Sequence, residues 1–155
     1  MQLGPGQGVT VPNPVGGPIT FKVRGIETRG ALTVLETEVA ANQGPPFHVH
    51  ANEDETLYVL EGSFRFRLGD ELRKGPVGSF VYVPRGLPHC FQNVGESTGR
   101  MLVTFSPAGM ERFFERFAEI VPGSDPAEAF KTAGGEAGMS VLGPPLALSH
   151  PLDAR

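Results

Sequence analysis

Two stretches decide the fold: residues 47–62, FHVHANEDETLYVLEG, and residues 78–93, GSFVYVPRGLPHCFQN. Each holds a short β-branched and aromatic run, Thr56 to Leu60 in the first and Ser79 to Val83 in the second. Glu61-Gly62 ends one run and Pro84-Arg85-Gly86 stops the other, so both read as short strands closed by turns. His48 and His50 are two apart, and a strand repeats its side-chain direction every two residues, so both imidazoles point to one face. On the strand after the Ala51–Asp54 bend, Glu55, Leu57 and Val59 share a face opposite Thr56, Tyr58 and Leu60. His89 follows the Pro-Arg-Gly turn and shares its face with Phe91 and Asn93.

Working outward, the same punctuation continues. Ile19 to Arg24 alternates apolar and polar residues, and Ala31 to Ala40 is a further β segment. Asn42 to Pro46 cannot continue a central strand, since proline donates no ladder hydrogen bond. Ser63 to Leu68 alternates Phe64, Phe66 and Leu68 against Arg65 and Arg67, then Gly69-Asp70 turns the chain. His89 to Asn93 and Arg100 to Phe105 complete the set. Short strands at hairpin spacing, with no helix between them, predict an all-β barrel. The 21 glycines and 15 prolines are scattered between the runs, as antiparallel turns require.

After Pro107 the period changes. Met110, Phe113, Phe114, Phe117 and Ile120 recur at helical spacing, opposed by Glu111, Arg112, Glu115 and Arg116. Asp125, Pro126 and Glu128 predict the cap, the first position and the capping-box residue of a second helix. The organisation expected is a flexible arm over 1–17 with room for a short strand at its end, a barrel over 18–106 and a helical extension with a packing tail over 107–155. The Phe113/Phe114/Phe117 stripe reads as core or subunit packing rather than a substrate box.

Composition bounds the function. A net charge of −4 argues against binding nucleic acid through neutralised phosphates. The apolar runs are strand-sized, so no membrane span is expected, and residues 1–15 lack a signal-peptide pattern. Cys90 is the single cysteine, which excludes an intramolecular disulfide. A cytoplasmic protein with a small-molecule substrate is the default reading.

The chemistry rests on His48, His50, Glu55 and His89, three imidazoles and a carboxylate suited to one divalent transition metal: Fe, Mn, Ni, Co, Cu or Zn. Burial can raise a carboxylate pKa, so Glu55 is also a candidate catalytic base, although a bound metal would oppose the rise. Glu53 and Asp54 are read as solvated bend residues, Arg65 and Arg67 as the exposed face of their strand, and His150 as a surface residue. Cys90 points away from His89 and is not a ligand. Phe64, Phe66, Val83, Phe91 and Met101 are the expected lining of an apolar substrate pocket.

These residues resemble the two-part signature of the cupins. His48-Val49-His50, four residues, Glu55, six residues and Gly62 match its first part, with the leading glycine displaced to Gly44. Gly78, five residues, Pro84-Arg85-Gly86, two residues, His89, three residues and Asn93 match the second without a gap. The resemblance implies a jelly-roll (double-stranded β-helix) barrel with one or two C-terminal helices and a metal held by the four residues above. GPPFHVHANEDETLYVLEG at 44–62, the Phe-rich helix and VLGPPLA at 141–147 are further similar to small bacterial monocupins of the quercetin 2,3-dioxygenase-like group. That likeness implies a dioxygenase of an aromatic or enolic substrate. A non-redox isomerase, cyclase or lyase, and a ligand-binding module without catalysis, are the alternatives. A homodimer is expected, since exchanged N-terminal strands would cover the sheet edges.

Overall fold

The computed structural model describes residues 1–153; Ala154 and Arg155, the end of the expected tail, lie outside it. Among the described residues eleven strands form: β1 (Val9–Pro12), β2 (Pro18–Val23), β3 (Thr33–Val39), β4 (Phe47–His50), β5 (Asp54–Glu61), β6 (Phe64–Leu68), β7 (Glu71–Gly75), β8 (Phe80–Val83), β9 (His89–Asn93), β10 (Gly99–Ser106) and β11 (Met139–Gly143). Helices are α1 (Gly25–Thr28), α2 (Glu111–Ile120), α3 (Pro126–Glu136) and α4 (Leu146–Ser149). The strands make two antiparallel sheets, in the orders β1-β2-β3-β10-β5-β8 and β11-β4-β9-β6-β7. This is the all-β barrel that the strand pattern predicts, in the jelly-roll form that the resemblance implies.

Period-two alternation sets the core. β3 and β10 bury every second residue, and their register places Leu35 opposite Val103. In β5, Glu55, Leu57 and Val59 face inward while Tyr58 stays 42% exposed. β9 is buried on both faces, because the chain from Leu146 to His150 covers its outer side. The Arg65 guanidinium donates to the carbonyls of Leu146 and His150 and to Gln92 Oε1. Arg65 and Arg67 therefore point outward as expected, but both are half-buried. Arg67 lies over the Phe47 ring at 3.8 Å.

Four expectations need correction. Residues 9–17 are tied to the barrel and are not a free arm. β1 pairs with β2, Val15 is buried, and the Asn13 amide donates to Thr37 Oγ1 (2.7 Å) and to the Glu38 carbonyl (2.8 Å). The prolines and glycines hid this segment, since they break periodicity without preventing an edge strand. A one-turn helix, α1, does interrupt the strands; four residues are too few for a periodic signal. β7 went unread because ELRKG carries no alternation, and its first four residues are exposed. The tail does pack extended, but as a paired strand: β11 sets Met139 opposite His50.

α2 lays its stripe on the barrel, burying Met110, Phe113 and Phe117. Its first residue, Glu111, accepts hydrogen bonds from Gly25 N (2.8 Å), Gly109 N (2.9 Å) and Thr33 Oγ1 (2.5 Å). Burial opposes ionisation there, but these donors outweigh it and hold the carboxyl below its usual range. Asp125 caps α3 through Ala127 N and Glu128 N. The Glu128 side chain approaches Lys131 at 3.7 Å.

Candidate metal centre

The centre is assembled across the two sheets. β4 and β9 are neighbours in one sheet, with His48 and His89 directly opposite each other. β5 lies in the other sheet and carries Glu55 inward, opposite Val83 on β8 and Phe105 on β10. Gly44, just before β4, abuts the Phe91 carbonyl so closely that a Cβ there would sit 1.9 Å from the oxygen. Only glycine lets the chain enter β4 this near to β9, so the displaced signature glycine serves to bring the two His-bearing strands together.

All four side chains are buried, between 2% and 5% exposed. One ligand atom from each lies within 4.8 Å of the others. Glu55 Oε2 is 2.7 Å from His89 Nε2 and 3.1 Å from His50 Nε2. Those spacings approximate the edge between neighbouring ligands held at ~2.0–2.2 Å from one ion. His48 Nδ1 donates to the Pro46 carbonyl (2.7 Å) and His89 Nδ1 to the Leu87 carbonyl (3.0 Å), an assignment that leaves both Nε2 lone pairs for the centre. Both ring nitrogens of buried His50 lack a hydrogen-bond partner. Buried polar atoms left unpaired cost about 1–3 kcal/mol each, so the donor set fits a divalent ion that would satisfy them.

Electrostatics favour a ligand set over an acid. Burial, then the charges of His89 and His50, push His48 well below the usual imidazole range, leaving it neutral. Burial also lowers His89, but the charge and hydrogen bond of Glu55 outweigh it and raise the ring overall. For Glu55, burial raises the carboxyl, and the opposing pull of His89 and His50 is larger, so it is held well below the carboxylate range. The expected rise toward neutrality does not occur: adjacent imidazoles, not apolar walls alone, surround this carboxylate.

Beside the centre lies a cavity of about 60 Å³. Of the five residues expected to line it, only Phe91 does. Phe64, Phe66, Val83 and Met101 point inward but are packed in the core, 0–2% exposed. Alternation located their face correctly but not their depth along the barrel. The walls come instead from Phe105, Met110, Phe113, Phe114, Phe130 and Met139, with Asn13 and Thr37 as neutral polar members. Phe113 and Phe114 are thus wall residues, against the packing-only reading of their stripe, while Phe117 is core. Pro14, Pro45 and Phe130 also line an outer groove, which places them at the mouth.

Glu53 is a second correction to the site. It is 2% exposed, not solvated, and its Oε2 has no partner. The period of two that puts Glu55 inside puts Glu53 inside as well, a signal obscured by reading 51–54 as a bend. Asp54 does face outward and pairs with Arg85 at 3.1 Å. Cys90 is buried behind its strand, where burial pushes its thiol up to about 11.

Residues 35–105 match the cupin domain family. An uncharacterized protein of Streptomyces coelicolor is 40% identical over 76 residues, which are 49% of this chain and 67% of that protein. An RmlC-like cupin from Shewanella frigidimarina superposes with a TM-score of 0.58 at 19% identity, over 70% of this chain and 92% of its own. The polyketide cyclase RemF from Streptomyces resistomycificus superposes at 0.51 with 28% identity, over 57% of this chain and 63% of its own.

Proposed function

The chain belongs to the cupin superfamily, and from that premise we propose that it is a metal-dependent dioxygenase of a small aromatic or enolic substrate, similar to quercetinase. One observation carries the reading: a largely apolar chamber whose lining includes three of the four candidate metal ligands but no lysine or arginine. A dianionic or phosphorylated substrate would be desolvated there without a counter-charge, which is costly. A flat, uncharged ring system would not be.

His48, His50, His89 and Glu55 would hold the ion, which supplies Lewis acidity and, if redox-active, electron exchange with O₂. Among the described residues, Glu55 is the one carboxylate lining the chamber, and it is ionised at neutral pH. Its depressed pKa makes it a weak base, so a substrate hydroxyl brought against it would give up its proton only where the bound ion stabilises the resulting anion. The substrate is then an enolate, richer in electrons. The phenylalanine walls exclude water and so strengthen every charge interaction inside.

A second reading, a non-redox cyclase or isomerase of an enolisable carbonyl compound, draws support from the likeness to a polyketide cyclase. It uses the same proton transfer at Glu55 without O₂. The deciding experiment is metal analysis of untagged protein, followed by O₂ uptake with flavonols and other enolic aromatics in air and under strict anaerobiosis. Stoichiometric metal with O₂-dependent turnover is the expected result. Turnover that survives anaerobiosis transfers the assignment to the second reading, and saturable binding without product leaves a ligand-binding module.

A homodimer belongs to the same proposal. Tyr58, Phe80 and Tyr82 are 42%, 63% and 53% exposed on the outer face of β5 and the free edge strand β8, a patch that self-association would cover. Sedimentation equilibrium at micromolar protein tests it, with a monomer as the contrary result.

A further inference from the structure

His48 and His89 follow one rule that His50 breaks. Each of the first two gives its Nδ1–H to the backbone carbonyl two residues earlier, which fixes its tautomer and ring rotation. His50 Nδ1 is buried with no acceptor. Its Nε2 is the nitrogen that approaches Glu55, so Nδ1 is the atom turned away from the centre. Histidines that ligate through Nε2 almost always place their other N–H on an acceptor, because an unfixed ring binds weakly.

The complementary orphan is Glu53. It sits two residues before Glu55, and its Oε2 is buried without a donor. The other oxygen, Oε1, lies beside Gly109, the side on which the Arg112 guanidinium also arrives. Among the charges acting on Glu53, His50 exerts the largest pull, ahead of Arg112 and Arg85, with Glu55 acting in the opposite sense. A buried N–H without an acceptor and a buried carboxylate oxygen without a donor thus occupy one neighbourhood.

Resting on the metal-centre reading, we propose that Glu53 is the positioning residue of His50, accepting its Nδ1–H directly or through one bridging water when the metal is bound. Glu53 is then not a ligand. It locks the His50 tautomer with Nε2 free and raises the basicity of that ring. The site would hold its histidines by two different devices: backbone carbonyls for His48 and His89, and a side-chain carboxylate from the β4–β5 connection for His50.

The test uses the full chain as wild type, Glu53→Ala and Glu53→Gln, each loaded with Zn(II) or Co(II). Metal affinity is measured by chelator competition, and the histidine ring protons are read by NMR of the ¹⁵N-histidine-labelled Zn(II) form. Glu53→Ala should weaken binding roughly 10–100-fold and lose a slowly exchanging His50 Nδ1–H. Glu53→Gln, whose amide oxygen still accepts, should recover most of both, which simple loss of the Arg112 or Arg85 charge partner would not allow. Affinities within threefold of wild type, with the His50 proton unchanged in Glu53→Ala, overturn this inference alone. A wild-type chain that takes up neither ion overturns it together with the metal centre. If Glu53→Ala does not fold, the wild-type spectrum decides: a slowly exchanging His50 Nδ1–H upholds the inference, and a freely exchanging one overturns it.

Discussion

Phe64, Phe66 and Phe91 pack on one another with ring centroids 6.2–6.4 Å apart, and Gly75 leaves space for Phe66, since a Cβ there would lie 2.3 Å from the ring. On the other side of Phe91, the rings of Phe105, Phe113, Phe114 and Phe130 stand around a cavity of about 60 Å³. The second group also packs ring on ring, with Phe113 4.9 Å from Phe114 and from Phe130, yet it borders a cavity beside the candidate metal centre. The first group comes from adjacent strands, β6 and β9, whose hydrogen-bonded register forces neighbouring rings together. The second is delivered by β10, α2 and α3, which approach from different directions, with the His48–His50–Glu55–His89 cluster between them. Filled and open regions of one barrel thus differ in how their residues arrive, not in which residues arrive.

The harshest way to break this contrast is to remove the polar cluster. His50→Ala should lose stoichiometric metal, measured by elemental analysis. It should also lose the thermal stabilisation that metal gives wild type, about 2.7 kcal/mol when free metal is 100 times its Kd. Retained metal in that variant would detach the cavity from any ion.

A sharper comparison truncates one ring in each region. Phe66→Ala should cost about 3–5 kcal/mol in urea unfolding and leave metal affinity unchanged. Phe130→Ala should cost less, about 1–3 kcal/mol, because a ring bordering open space has fewer contacts to lose. It should also widen the mouth and change the KM for any accepted substrate. Equal costs would mean that the chamber wall is packed like the core.

Glu111 joins α2, which supplies part of that wall, to β3 and α1. Glu111→Gln should destabilise the fold by about 1.5–3 kcal/mol at pH 7. The folded carboxyl lies below its ordinary 4.5, so its contribution is fully present above that value and lost as pH falls through the folded pKa. The difference between variant and wild type should therefore shrink in urea titrations below about pH 4.5. A difference constant down to pH 3 would assign the effect to shape alone.

The smallest effect concerns Cys90. With its thiol held up to about 11 and its side chain buried, it should resist thiol reagents at pH 8 until the protein unfolds. Removing residues 146–155 should uncover the outer face of β9 and make the thiol react within minutes. An inert thiol in that truncation would show that the tail is not its cover.

Reading by alternation succeeded where one physical rule governs. The inward phase of Glu55, Leu57 and Val59, the common face of His48 and His50, and the apolar stripe of α2 all follow from backbone period, which is local. It missed β7, whose exposed ELRKG has no core to report on. It missed the pairing of β1 behind its prolines, and it lost the phase of Glu53 at a bend. The cavity walls were the largest gap. Phe64 and Phe105 are both inward aromatic residues on strands that meet other rings, and nothing local shows that only Phe105 also borders the cavity.

By itself, then, the sequence determined most of the strands, the four clustered residues and the family, because motif spacing and side-chain period act within a few residues of the chain. Tertiary structure alone decided which phenylalanines line the chamber, that Glu53 is buried and that the outer face of β9 is covered. Those outcomes depend on where β10, α2, α3 and the tail from Leu146 converge, and contacts between residues far apart in the chain leave no periodic trace within it.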